Sequence, residues 1–206
     1  MTSARALVAL LAIAVLAAGL PACGAVTGAD HDPPVQAPEP GDEIPGDSIY
    51  NLDLPLVDQD GRRLVLADLA GHPIVAAMIY SACTTVCPRV TQEMKAVEAQ
   101  LSAAGRQDAR FVLFSLDPGR DTPRALREFA AAHRLDLSRW RLVAAPEDEV
   151  RTLSAVLGVK YKLEGNGEIA HSALIAVIDR RGVVRHRQLG YTQDPRALLA
   201  AVGGVM

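Results

Sequence analysis

Two cysteines and one histidine are the residues of this chain whose types and spacing best suit chemistry. Cys83 and Cys87 are separated by three residues and followed by Pro88, directly after an apolar run at residues 74–80. His171 opens a second apolar run far along the chain. Two thiolates and one imidazole form a soft ligand set that suits copper. The same thiols could instead cycle between a dithiol and a disulfide, so a metal site and a redox pair are both compatible with the pattern.

The local sequence predicts that the two thiols are reactive. A residue before proline avoids helical dihedrals, so we expect residues 83–87 to form a loop and the following helix to begin at Pro88. A turn of this length brings two Cα atoms within the roughly 4.4–6.8 Å that a disulfide requires. Unpaired amides at the start of the helix would stabilise a thiolate. An inert disulfide in an exported protein is the alternative that requires no function.

His171 differs from the other histidines because it enters a predicted buried strand, after a stretch at residues 163–168 that we expect to be flexible. Taken alone, a histidine in this position is more often a hydrogen-bonded structural residue than a metal ligand. The remaining histidines are predicted to lie on the surface; they are His31, His72, His133 and His186.

The N-terminus predicts an exported and lipid-anchored protein. Arg5 precedes an apolar run at residues 6–20 that is short for a membrane span, as in a signal peptide. The sequence LPAC at residues 20–23 resembles a bacterial lipobox, which predicts a signal peptide over residues 1–22 and a lipid on Cys23. There are two alternatives. The segment could be an uncleaved signal anchor, or the protein could be secreted with Cys23 either lost or left as a free thiol. Each places the domain outside the cytoplasm, in the periplasm or on the outer face of the cytoplasmic membrane.

Composition predicts one folded domain behind a tether. Residues 23–48 are rich in proline, glycine and acidic residues, so we expect a disordered tether, followed by a single domain over residues 49–206. Half of the residues are hydrophobic (50%), enough for a full core, and the net charge of −3 gives no footprint for nucleic acid. With Cys23 set aside, the three cysteines leave a single pair, too few for a disulfide framework.

The order of predicted elements favours an α/β fold. A hairpin comes first, strands and helices then alternate, and a second hairpin with a final helix ends the chain. This order implies a thioredoxin-like three-layer sandwich with a mixed central sheet, preceded by an N-terminal β-hairpin. Predicted strands lie at residues 52–57, 64–66, 74–80, 111–116, 140–143, 173–178 and 183–189, and predicted helices at residues 88–101, 121–133, 146–157 and 194–202.

Several short motifs are modest alone and specific in combination. They are YSACTTVCP at residues 80–88, SLDPGRDTP at 115–123, WRL at 140–142, GV at 158–159, HS at 171–172 and IDRRG at 178–182. With these motifs the chain resembles the Sco/SenC family of copper proteins over roughly residues 50–200. The resemblance implies a thioredoxin-like fold on a membrane tether.

The resemblance also implies a ligand set and a function. One copper ion, as Cu(I) or Cu(II), would be bound by Cys83, Cys87 and His171. Asp117 would support the site or contact a partner; its alternative is a turn-forming aspartate before Pro118. Members of the family help to deliver copper to the binuclear copper centre of cytochrome c oxidase, and some act instead as thiol reductants for that site or as redox sensors. The expected partner is therefore subunit II of that enzyme or another copper-accepting protein. Such delivery is stoichiometric, which makes the chain a metallochaperone rather than an enzyme.

Two alternative functions use only the cysteines. An exported thiol–disulfide oxidoreductase or thiol peroxidase would act through Cys83 and Cys87 and would not require His171. A membrane-tethered binding module would keep the same pair as a structural disulfide, and replacing both cysteines would then affect only stability.

Overall fold

The computed structural model describes residues 44–165, 167–192 and 194–206. The predicted signal peptide, Cys23, His31 and most of the predicted tether lie outside the described residues. In the described part of the chain, no helix has both the length and the apolar composition needed to cross a bilayer.

The described residues form strands and helices in the alternating order that the sequence predicts. The strands are β1 (Pro55–Asp58), β2 (Arg63–Val65), β3 (Ile74–Ile79), β4 (Arg110–Ser115), β5 (Trp140–Ala144), β6 (Tyr161–Leu163), β7 (Ile169–His171), β8 (Leu174–Ile178) and β9 (Val184–Leu189). The helices are α1 (Val86–Ala103), α2 (Pro123–His133), α3 (Val150–Leu157) and α4 (Arg196–Gly203).

Seven strands form one mixed sheet in the order β2-β1-β5-β4-β3-β8-β9. Strand β4 runs parallel to both β3 and β5, whereas β8 is antiparallel to β3 and β1 is antiparallel to β5. This topology confirms the predicted α/β fold with a mixed sheet. The N-terminal hairpin β1–β2 does not stand apart, because β1 pairs with β5 and extends the sheet at one edge.

The apolar runs of the sequence become the central strands. All six residues of β3 and all five of β8 are buried, as expected for strands that are covered on both faces. Helix α1 packs on the sheet through an apolar stripe at Val90, Met94, Val97 and Leu101, each at most 2% exposed. The carboxyl end of β3 and the start of α1 are therefore held rigidly, and the cysteines lie between them.

Two predicted helix starts are wrong. Helix α1 begins at Val86, so Cys87 is its second residue and not part of a loop. Pro88 is tolerated there because the amides of the first helical turn have no intrahelical partner to lose. Helix α3 begins at Val150 rather than residue 146, after a turn closed by the Glu149 amide and the Pro146 carbonyl (2.9 Å). Its predicted end is confirmed, because Gly158 caps it with a left-handed φ of 86°.

Candidate metal centre

The fold brings the predicted ligand residues to one point. The Sγ atoms of Cys83 and Cys87 and a ring nitrogen of His171 all lie within 4.8 Å of one another. A single ion with metal–sulfur bonds near 2.3 Å holds its donors about 4 Å apart, so this spacing fits a shared metal with small adjustments. The two sulfurs and one imidazole nitrogen form a soft donor set, which fits copper.

The cysteine segment is a tight turn between β3 and α1. The Cys83 amide donates to the Tyr80 carbonyl (3.0 Å), and the Cys87 amide donates to the Cys83 sulfur (3.4 Å). Cys83 is 7% exposed, whereas Cys87 is fully buried. Both cysteines are free thiols in the structure.

The two thiols differ in acidity. Burial opposes ionisation of Cys83, but hydrogen bonds from the backbone of Cys87, Thr85 and Val86 outweigh it and lower the pKa of this thiol from 9.0 to about 7. Burial raises the pKa of Cys87 well above its usual value, and the neighbouring Cys83 sulfur and the charge of Asp121 act in the same direction. At neutral pH, Cys83 is therefore the ready thiolate, and Cys87 keeps its proton.

His171 presents a lone pair to Cys87. Its Nδ1 lies 3.2 Å from the Ser172 carbonyl, and its Nε2 lies 3.5 Å from the Cys87 sulfur. Because a carbonyl can only accept, Nδ1 carries the hydrogen and Nε2 is left to accept from the thiol or to bind a metal. Burial lowers the pKa of His171, although the hydrogen bond to Ser172 partly opposes this, so the ring stays neutral at pH 7. The Tyr80 ring packs edge-on against it, with centroids 6.0 Å apart.

The position of His171 differs from the sequence prediction. It is not the first residue of the buried strand, because it ends β7 in a separate two-stranded hairpin, and β8 begins three residues later. Within the stretch predicted to be flexible, Leu163 ends β6, and Glu164, Gly167 and Glu168 form backbone hydrogen bonds in the turn of this β6–β7 hairpin. In the hairpin, His171 is paired with Tyr161, and its ring is half-buried against the cysteine turn.

Asp117 contacts none of the three ligand residues through the hydrogen bonds of its carboxylate. Instead, the carboxylate forms an ion pair with Arg120, and Arg120 also donates to the Gly167 carbonyl (2.7 Å) in the turn of the β6–β7 hairpin. The Asp117 amide donates to the Ser115 hydroxyl (2.9 Å). Asp117 thus belongs to a chain of contacts that links the end of β4 to the hairpin carrying His171.

Asp121 is the residue that sequence reasoning missed. It is 1% exposed, and one carboxylate oxygen accepts both the amide (3.0 Å) and the hydroxyl of Ser81, two residues before Cys83. Its other oxygen accepts the Ser115 hydroxyl (2.6 Å). The sequence motif at residues 115–123 contains Asp121, but its spacing predicts only the start of α2, where Thr122 is the observed cap. The buried carboxylate fixes the approach of the chain to the cysteine turn.

The sequence places the chain in a known family. The sequence model of the SCO1/SenC family matches residues 45–206. The chain belongs to the SCO1/SenC family. The family assignment agrees with the motifs that carry the resemblance, and the matched range includes all three residues of the Cys83, Cys87 and His171 cluster.

Individual relatives agree with this assignment. The SCO1 protein homolog of Bacillus subtilis strain 168 is 29% identical over 141 residues, which cover 67% of this chain and 72% of the relative. A SCO1/SenC family lipoprotein from Bacillus anthracis strain Ames has a similar structure, with a TM-score of 0.68 and 25% identity over 75% of this chain and 96% of that one. Bradyrhizobium japonicum ScoI, solved with copper bound, has a TM-score of 0.62 and 22% identity, covering 74% of this chain and 97% of its own. The thioredoxin-like fold of the SCO1/SenC chain is thereby confirmed.

Proposed function

We propose that this SCO1/SenC protein binds one copper ion through Cys83, Cys87 and His171 and delivers it to a copper-accepting protein, subunit II of cytochrome c oxidase being the expected recipient. The observation that carries the proposal is the meeting of two sulfurs and one imidazole nitrogen within 4.8 Å. The structurally similar ScoI of Bradyrhizobium japonicum, which holds copper, supports the choice of metal. No nucleic acid is expected among the partners.

The acidities of the ligands suggest how copper is taken up and released. Because the pKa of Cys83 is about 7, a large fraction of this thiol is thiolate at neutral pH, and its sulfur is the first ligand available to an incoming ion. The ion then displaces the proton shared between Cys87 and Nε2 of His171, because a bound cation favours the thiolate. Release to a partner follows by exchanging one donor at a time, and Cys83 is the less buried thiol from which exchange can begin.

A metal titration tests the binding step. Reduced protein titrated anaerobically with Cu(I) in the presence of a chromophoric competitor is expected to bind one ion per chain. The Cys83→Ser/Cys87→Ser variant is expected to lose this binding, and His171→Ala is expected to weaken it while keeping the fold. If the double variant holds copper as tightly as wild type, copper is bound elsewhere and the proposal fails.

Thiol–disulfide exchange is a second candidate, favoured by the unequal acidities of the thiols. In this mechanism the Cys83 thiolate attacks a substrate disulfide, forms a mixed disulfide and expels one substrate thiolate. Cys87, once deprotonated, attacks Cys83 in turn, so the chain is oxidised to a disulfide and the substrate is reduced to two thiols. The two functions separate in His171→Ala, which should retain reductase activity and lose copper transfer.

Asp117 supports the site indirectly in this proposal. Its carboxylate holds Arg120, and Arg120 holds the Gly167 carbonyl, so the pair restrains the hairpin that presents His171. We therefore assign Asp117 to positioning rather than to copper binding. Asp117→Asn is expected to weaken copper binding through increased mobility of the hairpin, without changing the number of sulfur ligands seen by spectroscopy.

The proposed site of action is outside the cytoplasm, with Cys23 as a lipid anchor after removal of residues 1–22. The similarity to a SCO1/SenC family lipoprotein of Bacillus anthracis supports this part of the proposal. Mass spectrometry of the mature N-terminus is expected to find a lipidated Cys23. If Cys23→Ala is recovered in the membrane fraction as fully as wild type, the protein is not anchored through Cys23.

A further inference from the structure

Exposed apolar side chains occur on the segments that adjoin the candidate metal centre. Three of the five large hydrophobic side chains that are exposed in the described chain lie on two such segments. Leu163 belongs to the hairpin that carries His171, and Leu189 and Tyr191 flank Gly190, whose amide donates to the Ala173 carbonyl (2.8 Å) just beyond His171. The five are Ile44, Leu137, Leu163, Leu189 and Tyr191.

Leu189 is the most exposed of these side chains, at 75%. It ends β9, the edge strand of the sheet, and its Cα partner is Leu174, three residues beyond His171. The alternation of β9 places Leu189 on the exposed face of the strand together with Arg185 and Arg187. A partner that covers this leucine would be bound more favourably, because burial of apolar surface lowers the free energy.

Tyr191 and Arg89 form a fixed pair on the other side of the same segment. The guanidinium of Arg89 lies 5.2 Å from the centre of the Tyr191 ring, and one of its nitrogens donates to the phenol oxygen (2.9 Å). Arg89 lies in the first turn of α1, two residues beyond Cys87. Tyrosine and arginine are enriched among the residues that dominate binding energy, and a pair that is already ordered loses less entropy on association.

Three acidic side chains beside these apolar residues are already engaged: Glu164 pairs with Lys162 (3.6 Å), Asp194 pairs with Arg196 (2.6 Å), and Glu93 is 6% exposed. The cationic side chains bond instead to neutral groups. Arg89 bonds to a phenol and Arg187 bonds to the Leu157 (3.0 Å) and Val156 (2.9 Å) carbonyls, partners that carry no formal charge. Lys160 is also exposed, and its amide bonds to the Ser172 hydroxyl (3.0 Å), next to His171. The chain as a whole has a net charge of −3, so this cluster of cationic side chains is a local feature. It favours a partner whose contacting surface is acidic.

We propose that the copper-accepting protein binds around the end of the sheet at which β3 and β9 finish, through a partner surface that is apolar at its centre and rimmed by carboxylates. We call this end the docking face and define it by Leu163, Leu189, Tyr191, Arg89 and Arg187, which lie on both sides of the Gly190 segment. The inference rests on the proposed function and specifies how the partner is recognised. Ligand exchange requires the donor atoms of the partner to come within bonding distance of Cys83, so the partner has to cover this face. An anionic membrane shares the chemistry of an acidic surface but offers no copper ligand, so a protein is the occupant.

The test uses the copper-loaded protein and, as probe, the copper-free soluble domain of cytochrome c oxidase subunit II. The dissociation constant and the rate of copper transfer are measured for wild type, Leu189→Ser, Tyr191→Ser and Arg89→Glu, at low and high ionic strength. Each variant is expected to bind the probe at least about fivefold more weakly and to transfer copper correspondingly more slowly. The effect of Arg89→Glu should shrink at high salt, whereas that of Leu189→Ser should persist.

Matched controls lie away from the docking face. Leu137, 38% exposed, precedes β5 and therefore lies at the end of the sheet opposite the cysteine turn, because β5 runs in the same direction as β3. Arg63 is exposed on β2, the strand at the other edge of the sheet from β9. Leu137→Ser and Arg63→Glu are expected to bind and transfer like wild type, to within about twofold.

The outcomes separate this inference from the proposed function. Weaker probe binding with unchanged copper affinity supports the docking face. If the three variants bind the probe as tightly as the controls, the docking face is wrong. It is also wrong if wild type retains copper but does not bind the probe. If binding to vesicles containing phosphatidylglycerol falls in the same variants while probe binding does not, the face is a membrane surface and the inference is wrong. The proposed function fails separately, by loss of copper binding in wild type itself.

Discussion

The buried carboxylate of Asp121 offers a quantitative test of how the site is built. Its two oxygens accept three hydrogen bonds, two from Ser81 and one from Ser115, and it is 1% exposed. Replacing Asp121 with alanine leaves the buried Ser115 hydroxyl and the two donors of half-buried Ser81 without their acceptor. Hydrogen bonds to a charged group contribute about 1.5–3 kcal/mol each, partly offset because a buried charge is also removed, so we expect a net loss of about 3–4 kcal/mol.

The matched comparison is Asp117→Ala, four residues earlier in the same loop. Asp117 forms an ion pair with Arg120, whose side chain is 52% exposed, so the loss should be no more than about 1 kcal/mol. Urea unfolding of the reduced, metal-free proteins, followed by circular dichroism, measures both values. Asp121→Asn keeps the shape and one acceptor oxygen and should lie between wild type and alanine. A loss below about 1 kcal/mol for Asp121→Ala would refute the assignment of Asp121 as the support of the cysteine turn.

Three further predictions concern the ligands and their positioning. The rate at which iodoacetamide alkylates Cys83 should rise as pH increases through about 7, because its lowered pKa makes the thiolate predominant above that value. Cys87 should stay unreactive until more alkaline pH. Equal rates for both thiols would contradict the acidities described above. Arg120→Ala removes the hydrogen bond to the Gly167 carbonyl, so amide hydrogen exchange in β6–β7 should become faster and copper binding should weaken several-fold. Arg120→Lys should be less affected. Unchanged exchange in Arg120→Ala would exclude a role for Arg120 in restraining the hairpin. Oxidising Cys83 and Cys87 to a disulfide removes both anionic ligands and should release bound copper into a chelator, whereas retention of copper by the oxidised protein would argue against thiolate binding.

The sequence predicted the central strands well because their burial is encoded locally. The run at residues 74–80 is continuously apolar, and the structure places β3 there, buried on both faces between β4 and β8. The apolar stripe of α1 likewise follows from its spacing along the chain. In both cases the pattern of neighbouring residues is sufficient, because the contact that each residue makes depends mainly on which face it occupies.

The sequence could not predict the β6–β7 hairpin that positions His171. Its strands have only three residues each, YKL and IAH, and neither shows a clear alternation of buried and exposed residues. The contacts that locate it come from distant parts of the chain, such as the bond between Arg120 and the Gly167 carbonyl. Such contacts leave no local periodicity, so the stretch looked like a flexible loop.

The two aspartates of one loop show a second limit of sequence reasoning. Asp117 and Asp121 lie in the same motif and are chemically identical, and only the fold shows that Asp121 is buried against Ser81, forty residues away along the chain. The family resemblance points to Asp117, and nothing in the motif itself distinguishes it from Asp121. The choice between them depends on tertiary packing, which the spacing of residues does not contain.

The measurement that tests the central claim most directly is the copper X-ray absorption spectrum of the protein loaded with one ion. The account predicts a copper coordinated by two sulfurs, near 2.2–2.3 Å by analogy with other metal–thiolate bonds, and by one imidazole nitrogen whose scattering disappears in His171→Ala. A spectrum of wild type that lacks imidazole scattering, or that is the same in His171→Ala, would contradict the three-ligand centre.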